Sequence, residues 1–199
     1  MKRIYIILTK SPTILSRTIG LVTKDEYTHS SISFNSTVQP MYSAGRKYTF
    51  SMFPASLKVE PFTEGFYKYY NKCKMGIYYL EVSEEAYNKT KNYVETMVAQ
   101  RLPFNAIGLL LCKTKIDFPR KGRFFCSEFV STALQQSGEI DILKKPNMFR
   151  PIDFTRIKGI KLLYEGIIQD AVGRDFKDLL LEEEEKNFMQ VGFQMEKGI

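Results

Sequence analysis

Arg123-Phe124-Phe125-Cys126-Ser127-Glu128-Phe129-Val130 is the stretch on which the fold of this chain turns. Two aromatics lead into Cys126, after which Phe129, Val130 and Ala133 recur at helical spacing. The pattern predicts a helix from Cys126 to Gln136 that stops at Gly138. A cysteine in the first turn of a helix sits among backbone N–H groups that have no intrahelical acceptor, at the positive end of the helix dipole. Both features favour a thiolate and lower the pKa of a thiol from its usual ~8.5. The same N–H groups face the space where a tetrahedral oxyanion would form during acyl transfer, so one position supplies a nucleophile and part of an oxyanion site.

A thiolate nucleophile needs a base, and the chain has a single histidine to offer. His29 lies in Thr28-His29-Ser30-Ser31-Ile32-Ser33-Phe34, where Ile32 and Phe34 alternate with serines as in a half-buried strand. Cysteine is among the most often buried residue types, and a histidine opening a strand is more often structural than catalytic. Together they are the smallest set of side chains that makes an activated thiolate near neutral pH.

Working outward, Lys2 to Leu8 is a short β-branched and aromatic run that predicts a buried strand. Ser11-Pro12, followed by Ile14, Leu15, Ile19 and Val22, predicts a helix. Further strands are expected at Met41-Tyr42-Ser43, with Gly45 marking a bend, and at Leu57 to Glu60, Met75 to Val82 and Lys161 to Ile168. Helices are expected from Ser83 to about Gln100, closed by Pro103, and as a buried element from Asn105 to Cys112, with Lys113 to Gly122 a basic loop. Asp153 is expected to cap a helical turn. The fold class is therefore α+β, an antiparallel sheet packed against helices. Residues 1–170 form the domain, and 171–199 form a helical acidic tail carrying Leu179-Leu180-Leu181 and glutamates 182 to 185.

With 44% hydrophobic and 26% charged residues, the 199-residue chain has the composition of an ordinary globular domain, which excludes a disordered one. The net charge of +7 would favour anionic surfaces. Its lysines and arginines are scattered among acids, however. No nucleic-acid-reading motif accompanies them, and no basic amphipathic face is apparent along the chain, so nucleic acid is not an expected partner. Cys73, Cys112 and Cys126 make an odd count without a disulfide framework, which points to a reducing compartment. Met1-Lys2-Arg3 and the short run Ile4 to Leu8 lack the apolar core and cleavage site of a signal peptide. No apolar stretch approaches the ~18 residues of a span, so the expectation is a cytoplasmic protein without stable membrane insertion. No cysteine or histidine spacing suits a metal, and no metal or cofactor is expected.

Phe125-Cys126-Ser127-Glu128-Phe129-Val130 resembles the nucleophile motif of the NlpC/P60 superfamily of papain-like cysteine hydrolases. His29 precedes the cysteine and stands in a Tyr-Thr-His-Ser-x-Ile-x-Phe strand, an order similar to the circularly permuted branch that includes the YiiX/YaeF-like and lecithin retinol acyltransferase-like groups. The resemblance covers roughly Ile4 to Gln136. It implies a papain-like fold in permuted order, with Cys126 as nucleophile, His29 as base and a third polar residue on the following strand that orients the imidazole. Alignment of Met41-Tyr42-Ser43-Ala44 puts Ser43 in that third position, where relatives commonly carry Glu, His, Asn or Gln; serine brings no negative charge. Phe104, in Leu102-Pro103-Phe104-Asn105, stands where relatives often have tyrosine. The resemblance implies an amidase or peptidase acting through a thioester on cell-wall-type peptides or N-acyl compounds, or an acyltransferase, with a small peptide or acyl-amide as substrate. The alternative is a module that keeps the fold and binds such a ligand with little or no catalysis.

Overall fold

The computed structural model describes residues 1–10, 25–51, 53–142 and 144–182. The helix expected from Ser11 to Val22 and glutamates 183 to 185 lie outside the described residues. Six strands form one sheet: β1 (Lys2–Thr9), β2 (His29–Ser33), β3 (Met41–Arg46), β4 (Ala55–Glu60), β5 (Lys74–Val82) and β6 (Lys161–Ile167). They lie in the order β4-β3-β2-β1-β5-β6, and every neighbouring pair is antiparallel. The helices are α1 (Gly65–Tyr69), α2 (Glu84–Ala99), α3 (Ala106–Lys113), α4 (Cys126–Gln135) and α5 (Ile168–Ala171), and residues 177–182 are also helical. The chain is thus α+β.

β1 is central because its apolar residues run without interruption, so both of its faces can be covered. Ile4, Ile6 and Leu8 point to one side, where Phe129, Val130, Ala133 and Leu134 of α4 and Val94 of α2 pack with Ile32, Leu57, Phe149 and Phe154. Tyr5 and Ile7 point to the other, with Met41, Met75, Ile77, Tyr67, Ile168 and, from the C-terminal segment, Phe176 and Leu180. Ser83 caps α2 by accepting from the Ala86 N–H, 3.1 Å away.

Two local expectations, at Gly45 and in α3, differ from the structure. Gly45 does not bend the chain but lies within β3, paired with Ser56. Asp153 caps a helical turn as expected: it sits in the third position of a 3₁₀ turn, Pro151–Arg156, and accepts from the Arg150 N–H at 2.7 Å. The helix expected to be buried from Asn105 to Cys112, α3, buries only Gly108 and Cys112 and leaves Ile107 and Leu110 exposed.

Candidate active site

Almost every side chain of α4 is buried, so its first turn is fixed by partners rather than by water. The Glu128 carboxylate reaches back one turn to accept the Phe125 N–H at 3.2 Å, and it also accepts from Asn105 Nδ2 at 3.3 Å. Burial pushes the Glu128 carboxyl up to about 7, against these two hydrogen bonds. Ser127 Oγ donates to the Phe149 carbonyl at 2.6 Å, which ties the turn to the loop before the 3₁₀ segment. Cys126 is held at the head of this anchored helix, 4% exposed.

α4 packs across β2 and β3, and this sets Cys126 beside His29 at the start of β2, close enough for each to shift the pKa of the other. The backbone N–H groups of Ser30 and Ser127 add to the lowering of the Cys126 pKa. His29 Nε2 lies 2.8 Å from Glu60 Oε2 and 3.2 Å from Ser43 Oγ, which leaves the other ring nitrogen for the sulfur. Ser43 Oγ donates its own proton to the Ser30 carbonyl at 2.7 Å.

The sequence assigns orientation of His29 to Ser43; the structure puts Glu60 nearer and gives it the charge that Ser43 lacks. Glu60 ends β4, opposite Met41. Its side chain runs back along β3 through the space above Gly45, where an added Cβ would collide with Oε1. Ser31 Oγ donates to the same carboxylate oxygen at 3.2 Å, and behind it Tyr67 and Thr9 share a buried hydrogen bond of 3.3 Å. His29, Ser31 and Ser33 alternate along β2, so His29 and Ser31 meet the carboxylate from one face. Two signals in the sequence were available: the acid closing the strand, and a glycine inside a strand, which marks close approach by another group.

The electrostatics follow from this chain of contacts. Burial pushes the Cys126 thiol up, but the His29 charge and the hydrogen bonds from His29, Ser30 and Ser127 outweigh it, and the thiol is held below its ordinary value. Burial would lower the His29 pKa, yet Glu60 on one side and Cys126 on the other raise it well above the usual 6.5. Glu60 is likewise held low, its burial outweighed first by His29 and then by Lys58 and Ser31. An ion pair of thiolate and imidazolium is therefore favoured between the lowered thiol pKa and the raised imidazole pKa. Glu60 contributes stability above the usual 4.5, lost as the pH falls through its lower folded value. The contribution of His29 is full below 6.5 and lost as the pH rises through its raised one.

The other thiols have no such setting. Burial pushes both Cys73 and Cys112 up to about 11, and all three cysteines are free. Among the described residues no cluster of three or more His, Cys, Asp or Glu side chains is placed to hold a metal ion, and no helix is long and apolar enough to cross a membrane. No protein-family model matches the chain, and no curated protein matches it either.

Proposed function

We propose that the protein is a cysteine hydrolase of the permuted papain-like, NlpC/P60 type that cleaves an amide through a thioester on Cys126. The observation that carries this reading is Glu60 held 2.8 Å from His29, with the pKa values of His29 and Cys126, at the head of α4, coupled to each other. In the reaction, the Cys126 thiolate attacks the amide carbonyl, and the oxyanion is met by the Cys126 N–H in the first turn. The C–N bond breaks as His29 delivers its proton to the departing amine. Water then attacks the thioester, giving one proton to His29 and its hydroxyl to the acyl carbon, and the thiolate is released with a carboxylic acid product. Glu60 keeps the imidazole oriented and supports its charge in both half-reactions, as the third member does in other triads. The carboxylate there weighs against a module that binds without reacting, since the missing charge at Ser43 was the reason for that reading.

The substrate class follows from the family resemblance: small peptides or N-acyl amides. A panel of N-acyl p-nitroanilides and dipeptide anilides, followed by release of p-nitroaniline or aniline and by intact mass, tests the proposal. Turnover with an acyl adduct mapped to Cys126, and only background release by Cys126→Ala, is the expected result. Release at the wild-type rate by Cys126→Ala would refute it.

A further inference from the structure

α3 is apolar in sequence yet turns little of itself inward. Ile107 and Leu110, one turn apart, are 52% and 65% exposed, and beyond the helix Ile116 and Phe118 are 51% and 42% exposed. The two pairs flank the helix end, where the chain turns off sharply. The Lys115 N–H donates to the Cys112 carbonyl at 3.2 Å and the Ile116 N–H to that of Leu111 at 2.9 Å, the paired bonds of a Schellman stop. The residue in the left-handed position of such a stop is usually glycine; here it is Lys115, at φ 61°. The backbone accepts strain where a cation stands beside the exposed Ile116.

Cations surround these apolar groups. Lys115, Lys121 and Arg123 are exposed and Arg120 is half-buried, and no ion pair among the described residues engages any of the four. The one acid of the segment, Asp117, is already taken by Lys145 at 2.5 Å and by Asn147 at 2.6 Å. The excursion leaves and re-enters the fold at the bridge between Phe104 and Phe124, two residues before Cys126. Apolar side chains interleaved with cations that make no ion pair among the described residues match the boundary between acyl chains and anionic head groups, and neither feature alone would select it.

We propose that α3 and the loop 114–123 dock the protein onto an anionic phospholipid bilayer, with Ile107, Leu110, Ile116 and Phe118 entering the interface and the four cations meeting lipid phosphates. This is adsorption to a surface, not insertion of a span, and it holds whether or not Cys126 turns over an amide.

Co-sedimentation of the full chain with phosphatidylcholine vesicles, with and without phosphatidylglycerol, tests it. Binding should require the anionic lipid and weaken with salt. It should fall at least ten-fold in Leu110→Ser/Phe118→Ser and about five-fold for each cation neutralised. Lys115→Gly is the informative single change, expected to raise Tm by relieving the strained position while weakening binding. Cys126→Ala should bind as wild type does, which separates this outcome from that of the hydrolase proposal. Equal binding to neutral and anionic vesicles overturns the proposal, and so does binding that survives Leu110→Ser/Phe118→Ser. A concentration-dependent dimer in buffer that this double variant abolishes overturns it as well, by assigning the face to a second copy of the chain.

Discussion

Glu60→Gln is expected to lower kcat/KM for amide hydrolysis by about 10²–10⁴-fold, because a neutral amide neither fixes the imidazole tautomer nor supports the imidazolium. Ser43→Ala, by contrast, removes a neutral contact to the ring at 3.2 Å and should cost only a few-fold. The pH profile separates the two further. With the carboxylate gone, burial and the loss of its charge both lower the His29 pKa, so the alkaline limb of the activity profile should move toward neutrality. In Ser43→Ala that limb should stay where it is. Equal losses in the two variants would mean that Glu60 is a structural acid.

The second large effect is expected at a residue with no polar atom in its side chain. Gly45→Val would place carbon in the space occupied by the Glu60 carboxylate, and the side chain of Glu60 would have to leave His29. Displacements of an ångström at a catalytic group can cost 10²-fold in rate, and a loss of that order is expected. Parting a buried ion pair is also costly for the fold, about 3 kcal/mol, so the melting temperature should fall together with activity. Gly45→Val combined with Glu60→Gly would restore the space, recovering stability but not rate. Full activity in Gly45→Val would show that the carboxylate does not need its place over β3.

The pattern of what could be read from the chain has a physical cause. β1, β2, α2 and α4 are legible because their apolar residues repeat with the period of the element, and Ser83 and Gly138 mark helix ends by local chemistry. The opening stretch around Cys126 is of this kind, and so is the strand of His29. Glu60 is different: it stands 31 residues from His29, and what joins them is the register of β3 against β4 with the void over Gly45. Neither leaves a periodic signature, so a glycine that makes room for a carboxylate reads as a bend. α3 misleads in the opposite direction. Leu109-Leu110-Leu111 suggests burial, but hydropathy does not say whether the covering surface belongs to the same chain.

A thiolate–imidazolium pair between Cys126 and His29 is read most directly from the rate of iodoacetamide alkylation against pH, mapped by peptide mass, in wild type and His29→Ala. Cys73 and Cys112, pushed up to about 11, serve as slow references in the same digest. Cys126 should react with an apparent pKa well below about 8.5, and removal of His29 should raise it. A slow reaction at Cys126 with an ordinary pKa, the same with and without His29, would contradict the pair.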